Sequence, residues 1–303
     1  MKTILLTGAN GQVGWELRRA LEGKYKVIAP SREQLDLCRP DAIRQFVNSC
    51  RPDIIINPAA YTAVDKAETE PELAMSINGI APGIFAEVAL ELDALLIHYS
   101  TDYVFDGLKS SAYTELDTPN PQSVYGRTKL AGEEAIKAAG CRHLILRTSW
   151  VYGTHGGNFV KTVIRLAKER DEMRIVADQF GAPTWARLLA NSTSDILQSW
   201  YAGKATDQPD GLYHLTACGR TSWHHYAGEI VQLAMKYDAS ISSKPPRILP
   251  IATREYPLPA KRPANSSLSN DKVQKTFGLK LPAWQDDLAD CVRELYTANV
   301  TPD

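Results

Sequence analysis

Tyr125 and Lys129 stand four residues apart in Val124-Tyr125-Gly126-Arg127-Thr128-Lys129, a stretch that reads as the start of a helix. Helical spacing puts the phenol and the ammonium on one face. An ordinary tyrosine titrates near pH ~10 and is a poor proton donor at neutral pH. A fixed positive charge nearby stabilises the phenolate and lowers that pKa, which suits acid chemistry at a carbonyl. Taken alone, the pair also reads as a packed tyrosine with an unrelated surface lysine, so the surrounding elements decide. Thr101 ends an apolar run earlier in the chain and would bring a hydroxyl to the same carbonyl.

The elements that must position these groups begin at the first residues. Thr3 to Thr7 is an apolar run suited to a buried parallel strand. Gly8-Ala9-Asn10-Gly11-Gln12-Val13-Gly14 follows at once, and Leu17, Ala20 and Leu21 then share a helical face. Strand, glycine turn and helix form the context of a dinucleotide fingerprint, in which backbone N–H groups and the helix N-terminus meet a pyrophosphate. The glycine spacing is GxxGxxG, not GxGxxG. Lys26 to Ala29 reads as the second strand. An NAD-selective site usually has an acidic residue near its end; here Ser31-Arg32 follows. The Arg32 guanidinium suits a 2′-phosphate; its other reading is a surface arginine opening the next loop. Asp36 and Leu37 sit where a loop would cover an adenine.

Asp53 to Asn57 reads as a third strand, with Pro58-Ala59-Ala60-Tyr61-Thr62 as the loop at its carboxyl end, the ligand side of an open α/β sheet. Residues 63 to 92 read as helical, with Asn78 near the middle. Ala94 to Ser100 is a fourth strand ending in Thr101-Asp102-Tyr103, and His98 within it reads as a core residue. The Tyr125 helix runs to about Ala139, and residues 143 to 148 form a fifth strand. Trp150, just past its end, reads as a ring-stacking wall or as packing. This alternation predicts a Rossmann-type, doubly wound parallel α/β sheet.

Arg174 to Ala177 and Gly211 to Leu215 read as short strands returning to that sheet, around a helix from Ala186 to Tyr201. Helical patterns at 222–237 and 284–297 flank a proline-rich stretch, 244 to 263, expected as an ordered loop over a site. Lys261 and Arg262 in it suit a diphosphate or form a solvated basic pair. His224 and His225 lack a third ligand at metal spacing and read as surface or packing residues. The expected division is a cofactor-binding domain, 1–149 plus about 174–216, and a smaller C-terminal substrate-binding domain, about 150–173 and 217–303.

Bulk properties narrow the function classes. The chain has 303 residues and a formal net charge of −1. That balance gives no drive toward nucleic acid or an anionic membrane. No apolar run approaches the ~18 residues of a bilayer span. The run in Met1-Lys2-Thr3-Ile4-Leu5-Leu6 is too short for a signal peptide's apolar region. The five cysteines are scattered, odd in number and without CxxC, which argues against a disulfide framework or zinc site and for a reducing cytoplasm.

These motifs resemble the extended short-chain dehydrogenase/reductases, through Gly8, Gly11 and Gly14 and through Tyr125 with Lys129. The strings Tyr99-Ser100-Thr101-Asp102-Tyr103-Val104-Phe105, Arg147-Thr148-Ser149-Trp150-Val151-Tyr152 and Asp178-Gln179-Phe180-Gly181-Ala182-Pro183-Thr184 are more specific. With Lys261-Arg262-Pro263, Ser266 and Leu268, they resemble the dTDP-4-dehydrorhamnose reductase family over nearly the whole chain. The resemblance implies NADPH, with NADH as the other nicotinamide donor, and reduction of the C4 ketone of dTDP-4-dehydro-6-deoxy-L-mannose to dTDP-L-rhamnose. That product is a precursor of cell-surface polysaccharide, including lipopolysaccharide. It implies Tyr125 as proton donor, Lys129 on the nicotinamide ribose and Thr101 in the usual serine position. Gly11, Gln12 and Val13 would cradle the pyrophosphate, Asp36 and Leu37 would border the adenine, and Ala60, Tyr61, Thr62 and Tyr99 would line the channel. Thr101, Asp102, Tyr103, Trp150, Asn158 and Arg262 would contact the nucleotide sugar.

Some members hold Mg²⁺ with a carboxylate cluster at a homodimer interface. Glu16 and Glu294 would supply two carboxylates, but Arg187 stands where the third is expected, and a guanidinium cannot ligate a cation. That departure puts the metal and that dimer in doubt. Two other readings share the motifs: a nucleotide-sugar epimerase or dehydratase that recycles a tightly held cofactor, and a non-catalytic NADP-binding regulatory subunit. The intact Thr101, Tyr125 and Lys129 argue against the second.

Overall fold

The apolar runs of the first half become strands, and the amphipathic stretches between them become the crossover helices. In a computed structural model describing residues 1–203, 205 and 209–297, the first half runs β1 (Thr3–Leu6), α1 (Gln12–Leu21), β2 (Lys26–Ile28), α2 (Pro40–Cys50) and β3 (Ile54–Asn57). Short α3 (Val64–Ala67) and α4 (Pro71–Met75) lead through a π-helical turn, Ser76–Ile80, into α5 (Ala81–Leu92). Then come β4 (Leu95–Thr101), α6 (Val124–Ala139) and β5 (His143–Thr148). The second half runs β6 (Val151–Tyr152), α7 (Phe159–Glu169), β7 (Glu172–Val176), β8 (Phe180–Gly181), β9 (Thr184–Trp185), α8 (Ala186–Tyr201), β10 (Gly211–His214) and β11 (Thr221–Ser222). It closes with α9 (Trp223–Ala234), α10 (Ala239–Ser243), β12 (Arg247–Ile251), α11 (Asp271–Phe277) and α12 (Trp284–Thr297).

Six strands form one sheet in the order β2-β1-β3-β4-β5-β10, with every pairing parallel. Alternate residues feed opposite faces. Ile4, Leu6, Ile56, Ile97 and Leu146 pack with Leu17, Leu189 and Leu197 of α1 and α8. Leu5, Ile55, Leu96 and Ile145 pack with Val47, Phe85 and Val88 of α2 and α5. Burial on both faces is why β3 and β4 read as continuous apolar runs. The chain reverses direction across the sheet between β1 and β3, so a crevice opens there at the carboxyl ends.

Three features depart from the sequence reading. Gly211–His214 does return to the sheet beside β5, but the segment expected at Arg174–Ala177 does not. It forms β7, which pairs in parallel with β12 in a separate two-stranded sheet, and β12 lies in the stretch expected as loop. In β7 only Met173 is buried, a one-sided pattern that does not suit the interior of a doubly covered sheet. Second, α11 carries no expectation; it is short, buries Val273 and Phe277, and ends at Gly278. Third, the helical stretch Pro71–Glu91 does reach the length and, at mean hydropathy 1.5, the composition of a bilayer span. Much of its apolar surface is taken up inside the protein: Ala81, Phe85, Val88 and Ala89 are fully buried, while Ile80 and Leu90 are exposed.

A second core lies away from the six-stranded sheet. Tyr152, Val160, Trp185, Tyr226, Ile230, Trp284, Leu288 and Val292 join α7, α9 and α12 around the short pairs β6–β9 and β7–β12.

Candidate active site

The glycine turn closes tightly on itself. A Cβ at Gly14 would lie 2.1 Å from the Gly8 carbonyl oxygen, so only glycine lets α1 start against the turn. A cleft of about 220 Å³ opens at the crevice between β1 and β3. It brings together Gly8, Gly11, Arg32, Asp36, Leu37 and Ala60, with Thr7 and Ile77 beside them. The Gly11 N–H is spent on the Gly8 carbonyl at 2.9 Å, and the first-turn N–H groups of α1 that follow suit a pyrophosphate, so these residues fit a dinucleotide. Gln12 and Val13 belong to the first turn of α1.

The catalytic candidates meet where α6 approaches the carboxyl end of β4. Ser123 caps α6 by accepting from the Gly126 N–H at 3.1 Å, and the Val124 N–H donates to Glu68 Oε1 at 2.8 Å. Tyr125 therefore lies in the first turn. A Cβ at Gly126 would sit 2.2 Å from the Tyr103 carbonyl oxygen. The missing side chain lets α6 press onto the 3₁₀ turn Asp102–Val104 that continues β4. The Tyr103 and Tyr125 rings meet edge to face at 5.4 Å. Burial pushes the Tyr125 phenol up to about 12; a hydrogen bond with the Thr101 hydroxyl counters the rise and the Asp102 carboxylate adds to it.

Asp102 is itself buried, which pushes its carboxyl up to about 6 against hydrogen bonds from Ser266 and Thr101. Its Oδ1 accepts from Thr101 Oγ1 at 3.0 Å; its Oδ2 has no hydrogen-bond partner among the described residues. Arg262 lies over the Tyr103 ring at 5.8 Å and pairs with Asp65 at 2.7 Å, while its Nη1 is likewise buried without a partner among the described residues. Beside Tyr103 and Arg262 a groove of about 850 Å³ opens, walled by Phe159, Met173, Trp223 and Leu258. Buried polar atoms of both signs next to an apolar groove suit a charged ligand with a ring system.

Lys129, one turn beyond Tyr125, is buried. Its Nζ donates to the Tyr99 carbonyl oxygen at 2.7 Å and lies 3.1 Å from His98 Nε2. Burial lowers its pKa to about 8, against a raising influence of Glu133. The Lys129 nitrogen is held one turn below the phenol, and the influences on Tyr125 are its burial, Thr101 and Asp102.

Other sequence-derived candidates are placed differently. The Tyr99 side chain points into the sheet core, where its hydroxyl meets Thr193 Oγ1 at 2.6 Å; it offers the site its carbonyl. Tyr61 and exposed Thr62 follow β3. Asn158 caps α7 through Oδ1, and its amide donates both hydrogens within the protein, to Gln12 Oε1 at 2.9 Å and the Gly153 carbonyl at 2.7 Å. It thus ties the 153–158 segment to the glycine turn. Trp150 adopts φ 48, a left-handed conformation unusual for a bulky residue, and its ring stacks on Trp223 at 3.6 Å.

Asn78 has a larger part than its place in a helical run suggested. From the π-helical turn, its Oδ1 accepts from the Tyr61 N–H at 2.8 Å and its Nδ2 donates to the Tyr61 carbonyl at 3.1 Å and Thr128 Oγ1 at 3.2 Å. It fixes the β3 loop against α6. The signal in the sequence was a buried-type helix carrying one amide.

Glu16 and Glu294 do come together, but around Arg187. The guanidinium donates to both Glu16 oxygens at 3.1 Å and to Glu294 at 2.8 Å. Among the described residues no three His, Cys, Asp or Glu side chains could hold a metal. The cation that neutralises this pair is part of the chain, so the cluster does not fit Mg²⁺.

The chain resembles known proteins along nearly its whole length. The RmlD substrate binding domain family matches residues 1–297. A dTDP-4-dehydrorhamnose reductase of Burkholderia thailandensis is 47% identical over 96% of this chain and 98% of its own length. A solved structure of a Clostridium acetobutylicum dTDP-4-dehydrorhamnose reductase superposes with a TM-score of 0.88 at 40% identity, covering 97% of this chain and 99% of that one. A Bacillus anthracis dTDP-4-dehydrorhamnose reductase solved in complex with NADP gives a TM-score of 0.86 at 35% identity, over 97% and 99%. With likeness of this extent along the whole chain, and with its glycine cleft and Tyr125–Thr101 contact in place, the chain belongs to the dTDP-4-dehydrorhamnose reductase family.

Proposed function

We propose that this protein is an oxidoreductase that uses NADPH to reduce the C4 ketone of dTDP-4-dehydro-6-deoxy-L-mannose, giving dTDP-L-rhamnose. The observation that carries the reading is the position of Tyr125. It stands on Thr101 and Asp102 at the carboxyl end of β4, with its ring against Tyr103, which lines the groove together with Arg262.

When bound, the nicotinamide supplies a hydride to the ketone carbon; the rest of the work falls to the chain. The glycine turn and α1 hold the pyrophosphate, and Arg32 takes the 2′-phosphate. Thr101 and Tyr125 converge on the ketone oxygen, where Tyr125 gives its proton as charge develops. Lys129 holds the ribose, and its ammonium offsets the phenolate that remains. Asp102 and Arg262 bring buried polar groups to the sugar nucleotide, and Trp150 with Trp223 walls the sugar. The sheet-bearing half serves the cofactor; the second core, now including β7 and β12, serves the substrate. The five cysteines are all free, which supports a reducing cytoplasm as the site of action.

The test is loss of NADPH absorbance with a panel of 4-keto sugar nucleotides. Turnover should require both the 4-keto-6-deoxy sugar and the thymidine diphosphate. Absence of NADPH consumption, with a sugar nucleotide interconverted on a retained cofactor, would replace this reading with an epimerase.

A further inference from the structure

His98 sits in β4 with no exposure to solvent, yet both ring nitrogens are engaged by polar groups. Nε2 lies 3.1 Å from Lys129 Nζ, and Nδ1 lies 3.1 Å from the Asn57 amide nitrogen. The Asn57 oxygen accepts from Thr7 Oγ1 at 2.6 Å. Asn57 and Thr7 are buried too, and Thr7 lines the dinucleotide cleft. A line of side chains thus runs from the cleft wall through β3 and β4 to the lysine on α6.

A histidine that only filled space would cost less as a leucine, because a buried imidazole without partners carries a desolvation penalty. Here its partners set its role. With the Asn57 amide as described, Nδ1 accepts and the ring proton sits on Nε2, so Lys129 meets an N–H and must accept as a neutral amine. With the amide turned half a revolution, the proton moves to Nδ1, and Nε2 accepts from an ammonium. Both states hold the lysine nitrogen in one place. The Tyr99 carbonyl alone would fix one direction; the ring supplies the second.

We propose that His98 is a positioning residue for Lys129, and that its Nε2 fixes the lysine nitrogen in the place from which it serves the cofactor ribose and Tyr125. This rests on the role given to Lys129 under the proposed function. Burial holds the ring well below its usual pKa, so it serves as a neutral partner and adds no competing charge.

Side-chain length provides the test. An amide at position 98 reaches the place of Nδ1 if it is asparagine and the place of Nε2 if it is glutamine. His98→Asn keeps the contact with Asn57 and loses the one with Lys129; His98→Gln regains the latter. Lys129→Met is measured alongside, with kcat, NADPH KM and thermal midpoint for each. The expected result is a kcat loss of ~10- to 100-fold for His98→Asn, as displacement of a reacting group by about 1 Å gives. His98→Gln should stay within about threefold of wild type, with the two midpoints alike. Equal kcat for the two variants, or losses that only track the midpoints, would overturn the proposal. If Lys129→Met itself keeps wild-type kcat, the catalytic reading of Lys129 fails; if Lys129→Met is inactive while His98→Asn is not, only the role of His98 fails.

Discussion

Arg187 donates to both carboxylate oxygens of Glu16, each at 3.1 Å. Glu16 is only 3% exposed, and the same guanidinium carries Glu294 on its other side. The ion triad ties α1 to α8 and α12, joining the sheet-bearing half to the second core. Arg187→Met should therefore strand a buried carboxylate and cost about 3 kcal/mol, as removal of one partner of a buried pair typically does. Adding Glu16→Gln should restore a good part of that loss. Chelators should leave wild-type turnover unchanged. A single mutant as stable as wild type in urea unfolding, or activity abolished by chelation and restored by Mg²⁺, would show that the guanidinium does not stand in for a cation.

Much of this was legible because parallel strands buried on both faces announce themselves as apolar runs, and because the glycine turn and the Tyr125–Lys129 spacing are local patterns. The pieces that were not legible depend on distant partners. β7 and β12 complete each other across a long separation, and each looks one-sided or irregular alone. Asn158 and Tyr99 carry suitable groups, but those groups are committed to Gln12 and Thr193, far away in sequence. Asn78 and His98 acquire their roles only when α6 packs on the sheet and brings Thr128 and Lys129 to them.

Arg32 sets a preference between nicotinamide cofactors. It is exposed on the rim of the cleft beyond β2, and the acidic residue next to it in sequence, Glu33, accepts from the Ser31 hydroxyl at 2.6 Å. Arg32→Ala should weaken NADPH roughly tenfold, in line with loss of ~1.5 kcal/mol from a charge-assisted hydrogen bond, while NADH changes little. Titration of both cofactors on the mutant decides it; equal losses for the two would remove Arg32 from the 2′-phosphate.

Tyr125→Phe keeps the ring that packs against Tyr103 and removes only the hydroxyl facing Thr101. NADPH affinity and thermal midpoint should be unchanged, while kcat falls ~10²- to 10⁴-fold through loss of the general acid. A mutant within a few-fold of wild type in kcat would mean that the proton comes from elsewhere.

Asp102 should leave a mark on the pH dependence of stability. Its folded-state pKa is raised to about 6 by burial, above the unfolded value near 3.9. A raised pKa means that the folded state holds the proton more tightly. The corresponding stability is fully present below about pH 4 and is lost as the pH rises through about 6, a change of roughly 3 kcal/mol. Asp102→Asn has no such proton. Urea unfolding across that window should show wild type losing stability relative to Asp102→Asn as pH rises. A constant difference between the two would show that Asp102 titrates as an ordinary carboxylate.

Trp150 is held in a strained backbone conformation, φ 48, just past the carboxyl end of β5. Strain of this kind persists where the surroundings enforce it, and it often serves a binding site. Its ring stacks on Trp223, and Trp223 in turn walls the groove beside Tyr103. The Trp150 ring lies between Trp223 and Gly181, where an added Cβ would come within 2.6 Å of it, so the pair can act as one apolar plate in which Trp223 faces the groove and Trp150 backs it. Trp150→Ala should raise KM for the nucleotide sugar ~10-fold or more, the equivalent of about 1.4 kcal/mol, and leave NADPH Kd unchanged. Loss of the stack should also lower stability by ~0.5–1.5 kcal/mol, a small shift in midpoint. A core tryptophan would instead cost ~3–5 kcal/mol on truncation. Trp150→Phe separates the two roles further, since it keeps an aromatic backing for the plate while shortening the stack on Trp223. Measuring KM, NADPH Kd and midpoint on both variants decides the matter. A large fall in midpoint with unchanged KM would assign Trp150 to packing alone.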